Sequence, residues 1–165
     1  MHPLFQAGEG GARPTSALDL RFDTCGIKEA IRLVRMWHSR LPRVIASNMI
    51  RVKTRIFYVA TFQGIAYAVT MWTSPSAGAL PQAEWLELRR FAIANEAPKN
   101  TASRMLSWMV RDIRQRFDHI VNLISYQDMD VHLGTIYRAA GWKATVISRD
   151  LRNRGLCFGR CCNMS

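Results

Sequence analysis

A chain of 165 residues supports one domain with a full-sized core, and its 48% hydrophobic content excludes global disorder. No apolar run approaches the roughly 18 residues needed to span a bilayer. With 23 Lys and Arg against 12 Asp and Glu, the net charge is +11. Nearly all the cations are arginine, whose planar guanidinium grips phosphate bidentately, so the balance points to a polyanionic partner rather than to solubility alone.

Residues 1–16 are Gly-rich and polar and lack the basic-then-apolar layout of a secretory signal. They are expected to form a flexible lead to a cytoplasmic protein. Residues 17–22 alternate as a first strand, and Asp23 or Thr24 can cap the helix that follows. Ile27, Ile31, Val34 and His38 share one stripe of that helix, Lys28, Arg32 and Arg35 the next, and Pro42 ends it. Cys25, at its start, reads as a small packing residue. Residues 28–55 concentrate the positive charge, and Arg32, Arg35, Arg40, Arg43, Arg51 and Lys53 are the candidate phosphate contacts.

Residues 55–62 and 65–73 are strand-like, and Gln63-Gly64 makes the hairpin turn between them. Residues 74–81 form a loop, and 84–93 the next strand. Strict alternation puts Glu87 and Arg89 on one face of it and Arg90 on the other. Unpaired charges on a covered face are costly, so at least one of them is expected to be paired or functional. A polar loop, 95–101, leads into a helix from Ser103, in which Met105, Leu106, Met109, Val110, Ile113 and Phe117 share one arc. Trp108 falls outside that arc and reads as a surface-lying ring. A strand at 120–126, a helix at 131–140 and a strand at 142–149 complete the pattern. The segment 151–165 is Arg-rich, and Cys157, Cys161 and Cys162 fit no familiar zinc spacing, so it reads as a frayed, reduced tail. The expected architecture is an α/β domain over 17–150, a mixed central sheet flanked by helices.

Two stretches carry chemistry. The strand–helix junction at 94–104 offers the backbone N–H groups of a helix N-terminus, with Lys99 and Arg104 adding positive charge, and suits a pyrophosphate. The second runs from Leu123 through Tyr126, Asp128, His132 and Tyr137 to Gly141-Trp142. A tyrosine four residues before a Gly-aromatic pair resembles the C-terminal half of a GNAT acyltransferase. The resemblance implies that Tyr137 sits beside the sulfur of the acyl donor and that Lys99, Asn100, Thr101, Ser103 and Arg104 hold the pyrophosphate of coenzyme A. The chain departs from that family's glycine-rich signature, having no glycine between Ala94 and Arg104. Read from the residues alone, Tyr137 is equally a packing residue, Asp128 a turn-capping carboxylate, His132 a surface residue and His38 a core histidine.

Trp85-Leu-Glu-Leu-Arg-Arg90, Ala97-Pro-Lys-Asn-Thr-Ala-Ser-Arg-Met-Leu106 and residues 124–142 together resemble the phage Mom family. Trp37-His38 followed by Pro42 is similar to that family's Trp-His motif, with Ser39 in place of its usual tyrosine. The resemblance implies a GNAT-like fold, carbamoylmethylation of adenine N6 in phage DNA, protection from host restriction nucleases, and acetyl-CoA and iron as participants. Under it Tyr126, Asp128, Tyr137 and Glu87 become candidate catalytic groups and His38 and His132 candidate iron ligands, since two histidines with carboxylates suit iron(II). Two other functions use the same residues. One is an acetyl-CoA-dependent N-acetyltransferase of a small amine or protein, with Tyr137 as acid and Glu87 or Asp128 as base. The other is a non-catalytic nucleic-acid-binding module relying on the basic surface.

Overall fold

The computed structural model describes residues 12–37, 52–128, 134–147 and 155–161. They form one seven-stranded sheet in the order β1-β2-β3-β4-β5-β7-β6. The strands are β1 (Arg21–Thr24), β2 (Arg55–Phe62), β3 (Ile65–Thr73), β4 (Trp85–Ile93), β5 (Asn122–Asp128), β6 (Lys143–Ile147) and β7 (Gly155–Cys161). The helices are α1 (Ile27–Trp37), α2 (Thr101–Arg116) and α3 (Thr135–Ala139). Strands β1 to β4 run as an antiparallel meander, β4 and β5 are parallel, and β7 pairs antiparallel with both β5 and β6. The mixed α/β sheet expected from the sequence is therefore present.

The β2–β3 hairpin closes where the sequence places it. Gln63 and Gly64 both take positive φ, 48° and 81°, the mirror-image turn whose twist matches the strands it joins. The chain's apolar residues divide between two cores. On one face α1 buries Ala30, Ile31, Leu33 and Val34 against Phe57, Val59, Val69, Met71 and Ala92. On the other, α2 buries Met105, Leu106, Met109, Val110 and Ile113 against Tyr58, Trp72, Leu86, Leu88 and Leu123, joined by Tyr137 and Trp142. Burying each of these large side chains contributes about 1.5–3 kcal/mol, which is why the helical stripe sets the packing.

Several local expectations are corrected. Residues 17–19 form a 3-10 turn rather than strand, because Ser16 and Asp19 satisfy each other's backbone in a capping box. Asp23 and Thr24 belong to β1 and do not cap α1; the Gly26 carbonyl receives the first N–H of that helix, from Ala30. Trp108 is half-buried, not laid on the surface: its ring lies 5.7 Å from Phe22 and 5.6 Å, edge-on, from Tyr58. Pro42 lies outside the described residues. The largest difference concerns the C-terminal segment. Residues 155–161 are not a frayed tail but the strand that joins β5 to β6, and the backbone ladder demands it even though composition does not advertise it.

The β4–β5 junction positions the site. Their parallel pairing covers four residues only, from Trp85 opposite Asn122 to Leu88 opposite Ser125. Both strands continue beyond it, to Ile93 and Asp128, so a gap opens between them. At the same level β4 bulges. Met71 faces Arg90 while its neighbour Trp72 faces Leu88, leaving Arg89 as the extra residue. A bulge bends its strand and re-aims side chains, and the β4–β5 pairing ends at the same level.

Candidate functional site

Tyr137 closes one side of the gap. Short helix α3 is bracketed by Gly134 and Gly141, both left-handed at φ 71° and 75°, where a β-carbon would be strained. The return turn is fixed by the Trp142 N–H, which donates to the Tyr137 carbonyl at 2.9 Å. The Tyr137 ring is buried, packed edge-on to Trp142 at 5.7 Å, with Trp72 behind Trp142 at 6.0 Å. Its hydroxyl lies 2.7 Å from the Ser125 Oγ. Burial pushes the phenol's pKa up and the Ser125 hydrogen bond pulls it partly back, so Tyr137 holds its proton at neutral pH.

Ser125 escaped the sequence reading. It is 1% exposed and forms the last rung of the β4–β5 ladder, at the point where the gap begins. The available signal was a hydroxyl in register with Leu123 on an otherwise apolar inner face. Another polar atom is buried nearby: Trp142 Nε1 has no hydrogen-bond partner among the described residues.

Glu87 lies on the opposite face of the sheet. Its cross-strand partner is Thr73, and Arg90's is Met71, so Glu87 and Arg90 share the α1 face. The bulge at Arg89 shifts the phase and overturns the strict alternation expected from sequence. Glu87 is buried and fully engaged: its Oε2 accepts from the Ser76 N–H at 2.6 Å and the Ser76 Oγ at 2.7 Å, and its Oε1 lies 3.5 Å from Arg89 Nε. The expectation that a charge here must be paired holds. Tyr126, about half-exposed, follows Ser125 in the strand and so faces the side of Ile124 and its partner Glu87. Tyr137 and Ser125 thus flank the gap from one face, Glu87 and Tyr126 from the other.

Asp128 ends β5, its backbone opposite Gly155, and belongs to the strand rather than to a loop after it. Helix α3 begins at Thr135, later than expected, and His132 and His38 lie outside the described residues. Arg40, Arg43 and Arg51 lie outside them too. Of the remaining basic candidates, Arg32 pairs with Glu29 at 2.8 Å, while Arg35 and Lys53 are exposed. Among the described residues no group of three or more His, Cys, Asp and Glu is placed to hold a metal. Nor does any described helix have the length and apolarity to cross a membrane.

The N-terminus of α2 begins at Thr101, earlier than the expected Ser103. Asn100 stands before it at φ 67° and makes no side-chain cap. Asparagine is among the few residues other than glycine that tolerate this left-handed region, which accounts for the missing glycine. The Thr101 hydroxyl is buried and donates to the Pro98 carbonyl at 2.7 Å, and the Ser103 hydroxyl donates to the Asn100 carbonyl at 3.2 Å. These side chains shape the turn; the Thr101 N–H donates to the Pro98 carbonyl at 3.3 Å, and the N–H groups of Ala102 and Ser103, which have no intrahelical acceptor, face the helix end where an anion is favoured. Lys99 and Arg104 are exposed beside it, Arg104 with its guanidinium 5.8 Å from the centre of the Phe22 ring.

Several solved acetyltransferases share this fold. The ribosomal-protein-S18-alanine N-acetyltransferase from Escherichia coli matches with a TM-score of 0.66 at 11% identity, over 88% of this chain and 96% of that one. The GNAT domain of S. lividans PAT matches at 0.62 and 18% identity, over 86% and 90%. The aminoglycoside 6'-N-acetyltransferase from Enterococcus faecium matches at 0.64 and 11% identity, over 88% and 98%. At such identities the likeness concerns the fold, which is that of the GNAT acetyltransferases. No curated protein matches the sequence. The Mom protein family model matches residues 19–151, spanning every element from β1 to β6. The chain with the split β4–β5 gap and the buried Tyr137 is therefore a member of the Mom protein family, built on the GNAT fold.

Proposed function

We propose that this protein is a Mom-type transferase that adds a carbamoylmethyl group to adenine N6 in phage DNA, shielding the DNA from restriction in the bacterial cytoplasm. The observation that carries the reading is the two-sided gap, within a chain matched to the Mom family over residues 19–151. Tyr137 and Ser125 stand on the face of α2, whose open N-terminus suits a donor's pyrophosphate, and Tyr126 and Glu87 stand on the other. One face is free to take a donor while the other meets a base.

The residues present fit acetyl-CoA. Backbone N–H groups of Ala102 and Ser103, with Lys99 and Arg104, would hold its phosphates, and it would supply an activated two-carbon acyl group. Tyr137 keeps a proton in a buried setting, ready to donate or to anchor by hydrogen bond. Tyr126 offers an exposed ring on which a base extruded from the duplex stacks, because the N6 amino group is out of reach inside a stacked pair. Asp128, at the end of β5, stands at the mouth of the gap. Arginines between Arg32 and Arg55 hold the DNA backbone. Glu87, occupied by Ser76 and Arg89, acts as the clamp on the 74–84 loop rather than as a base. Iron, which the family resemblance implies, finds no ligand group among the described residues.

The test is mass spectrometry of nucleosides from DNA co-expressed with the protein: a modified adenosine heavier by the carbamoylmethyl group is expected. Unmodified adenine in the presence of soluble, folded protein and supplied iron contradicts the reading. Acetyl transfer to amines, unaffected by DNA, would instead make it an ordinary N-acetyltransferase. Salt-dependent DNA binding without donor binding would make it a binding module.

A further inference from the structure

The hydroxyl of Ser125 has no structural necessity in a β-strand core. It is 1% exposed, faces the α2 side in register with Leu88, and lies where the two strands part. A buried serine is stable only when hydrogen-bonded, and its oxygen is 2.7 Å from the Tyr137 hydroxyl. Tyr137 comes from α3, an element held by its own glycine-bracketed turn, so the contact joins two independently fixed parts of the fold. The Trp142 ring packs edge-on to the Tyr137 ring and the Trp142 N–H holds the Tyr137 carbonyl, leaving the phenol little freedom to swing away.

We propose that Ser125 is the positioning residue for Tyr137: its Oγ holds the phenol oxygen at the edge of the β4–β5 gap and stabilises the phenolate whenever Tyr137 gives up its proton. The inference rests on the reading of the gap as the reaction site. Ser125 keeps its own proton throughout; the phenol's proton passes to the donor's sulfur as its thioester C–S bond breaks and a C–N bond to the attacking amine forms, and is regained from water, which takes up the amine's proton. Burial alone would make Tyr137 too weak an acid for that exchange, and the serine hydroxyl opposes burial.

The test uses the full chain with tyrosine labelled at Cζ with carbon-13, so that its 4 tyrosines give separable signals. The onset of the Tyr137 titration is followed from neutral pH upward for as long as circular dichroism shows the protein folded, and the variants are compared at that onset. Ser125→Ala is expected to raise the proton affinity of Tyr137 about tenfold, the effect of losing one hydrogen bond to a charged group. Ser125→Thr, which keeps the hydroxyl, is expected to leave it near wild type. In the modification assay Ser125→Ala should lower kcat about tenfold or more, with coenzyme A binding within twofold and recovery in Ser125→Thr. An unmoved Tyr137 titration in Ser125→Ala overturns the proposal, as does equal loss of turnover in the Thr variant. Should Ser125→Ala fail to fold, Ser125→Cys, a weaker donor of similar size, must move the titration upward or the proposal fails. Because the titration requires neither DNA nor donor, wild-type protein that leaves adenine unmodified would sink the functional reading alone.

Discussion

At the scale of single residues the proposed chemistry centres on Tyr137, buried and bound to Ser125 at 2.7 Å. Tyr137→Phe keeps the ring's packing and removes the hydroxyl. Modification is expected to fall at least a hundredfold, the usual yield of a positioned acid, while stability falls by about 1 kcal/mol as measured by urea unfolding. Asp128→Asn is expected to abolish modification with folding and DNA binding retained. A second residue-level expectation concerns pH. The Cys25 thiol is pushed up from 9.0 to about 12, first by burial and then by Glu29 and Asp23. Burial also raises Tyr58 and Tyr137. Groups held protonated by the fold support it fully below their unfolded values and lose that support as pH rises through the folded ones. Stability should therefore decline above about pH 9, and Cys25→Ala should flatten the part of the decline between 9 and about 12. Urea unfolding at a series of alkaline pH values checks this, and an identical slope in the variant would refute it.

At the scale of elements, what the sequence revealed followed from periodicity. The α2 arc, the β2–β3 hairpin and the Gly-Trp turn after Tyr137 were legible because each is written in local spacing. The bulge at Arg89 was not, since it is set by cross-strand register and nothing in Glu-Leu-Arg-Arg marks the extra residue. It moved Arg90 onto the face of Glu87, whose carboxylate accepts from Ser76 in the loop before the strand. Ser125 was missed for a related reason: its partner lies across the fold. The start of α2 shows the opposite lesson, as the absent glycine is answered by Asn100 at φ 67°. Asn100→Gly is expected to leave stability within a few tenths of a kcal/mol, and Asn100→Ala to cost about 1 kcal/mol. Coenzyme A affinity, read by calorimetry, should fall in the Ala variant and hold in the Gly variant, because only the first strains the turn that presents the N–H groups.

At the scale of the whole molecule, β7 joins the two halves of the C-terminal sheet, bonded to β5 on one side and β6 on the other. A chain ending at residue 154 leaves β5 with an open edge and β6 without its partner. It is expected to lose cooperative unfolding by circular dichroism, whereas a dispensable tail would leave the transition intact. The net charge of +11 belongs to this scale as well. DNA affinity should fall steeply with salt, the logarithm of affinity declining linearly with that of salt concentration as counterions are displaced. Fold and charge together support the proposal of a DNA-modifying transferase, with the candidate groups flanking one gap. The most direct measurement is nucleoside mass spectrometry on plasmid DNA from cells expressing wild type or Tyr137→Phe in parallel. Carbamoylmethylated adenine with the first and its loss with the folded, DNA-binding second is the predicted result; unmodified adenine with both, or equal modification with both, would contradict it.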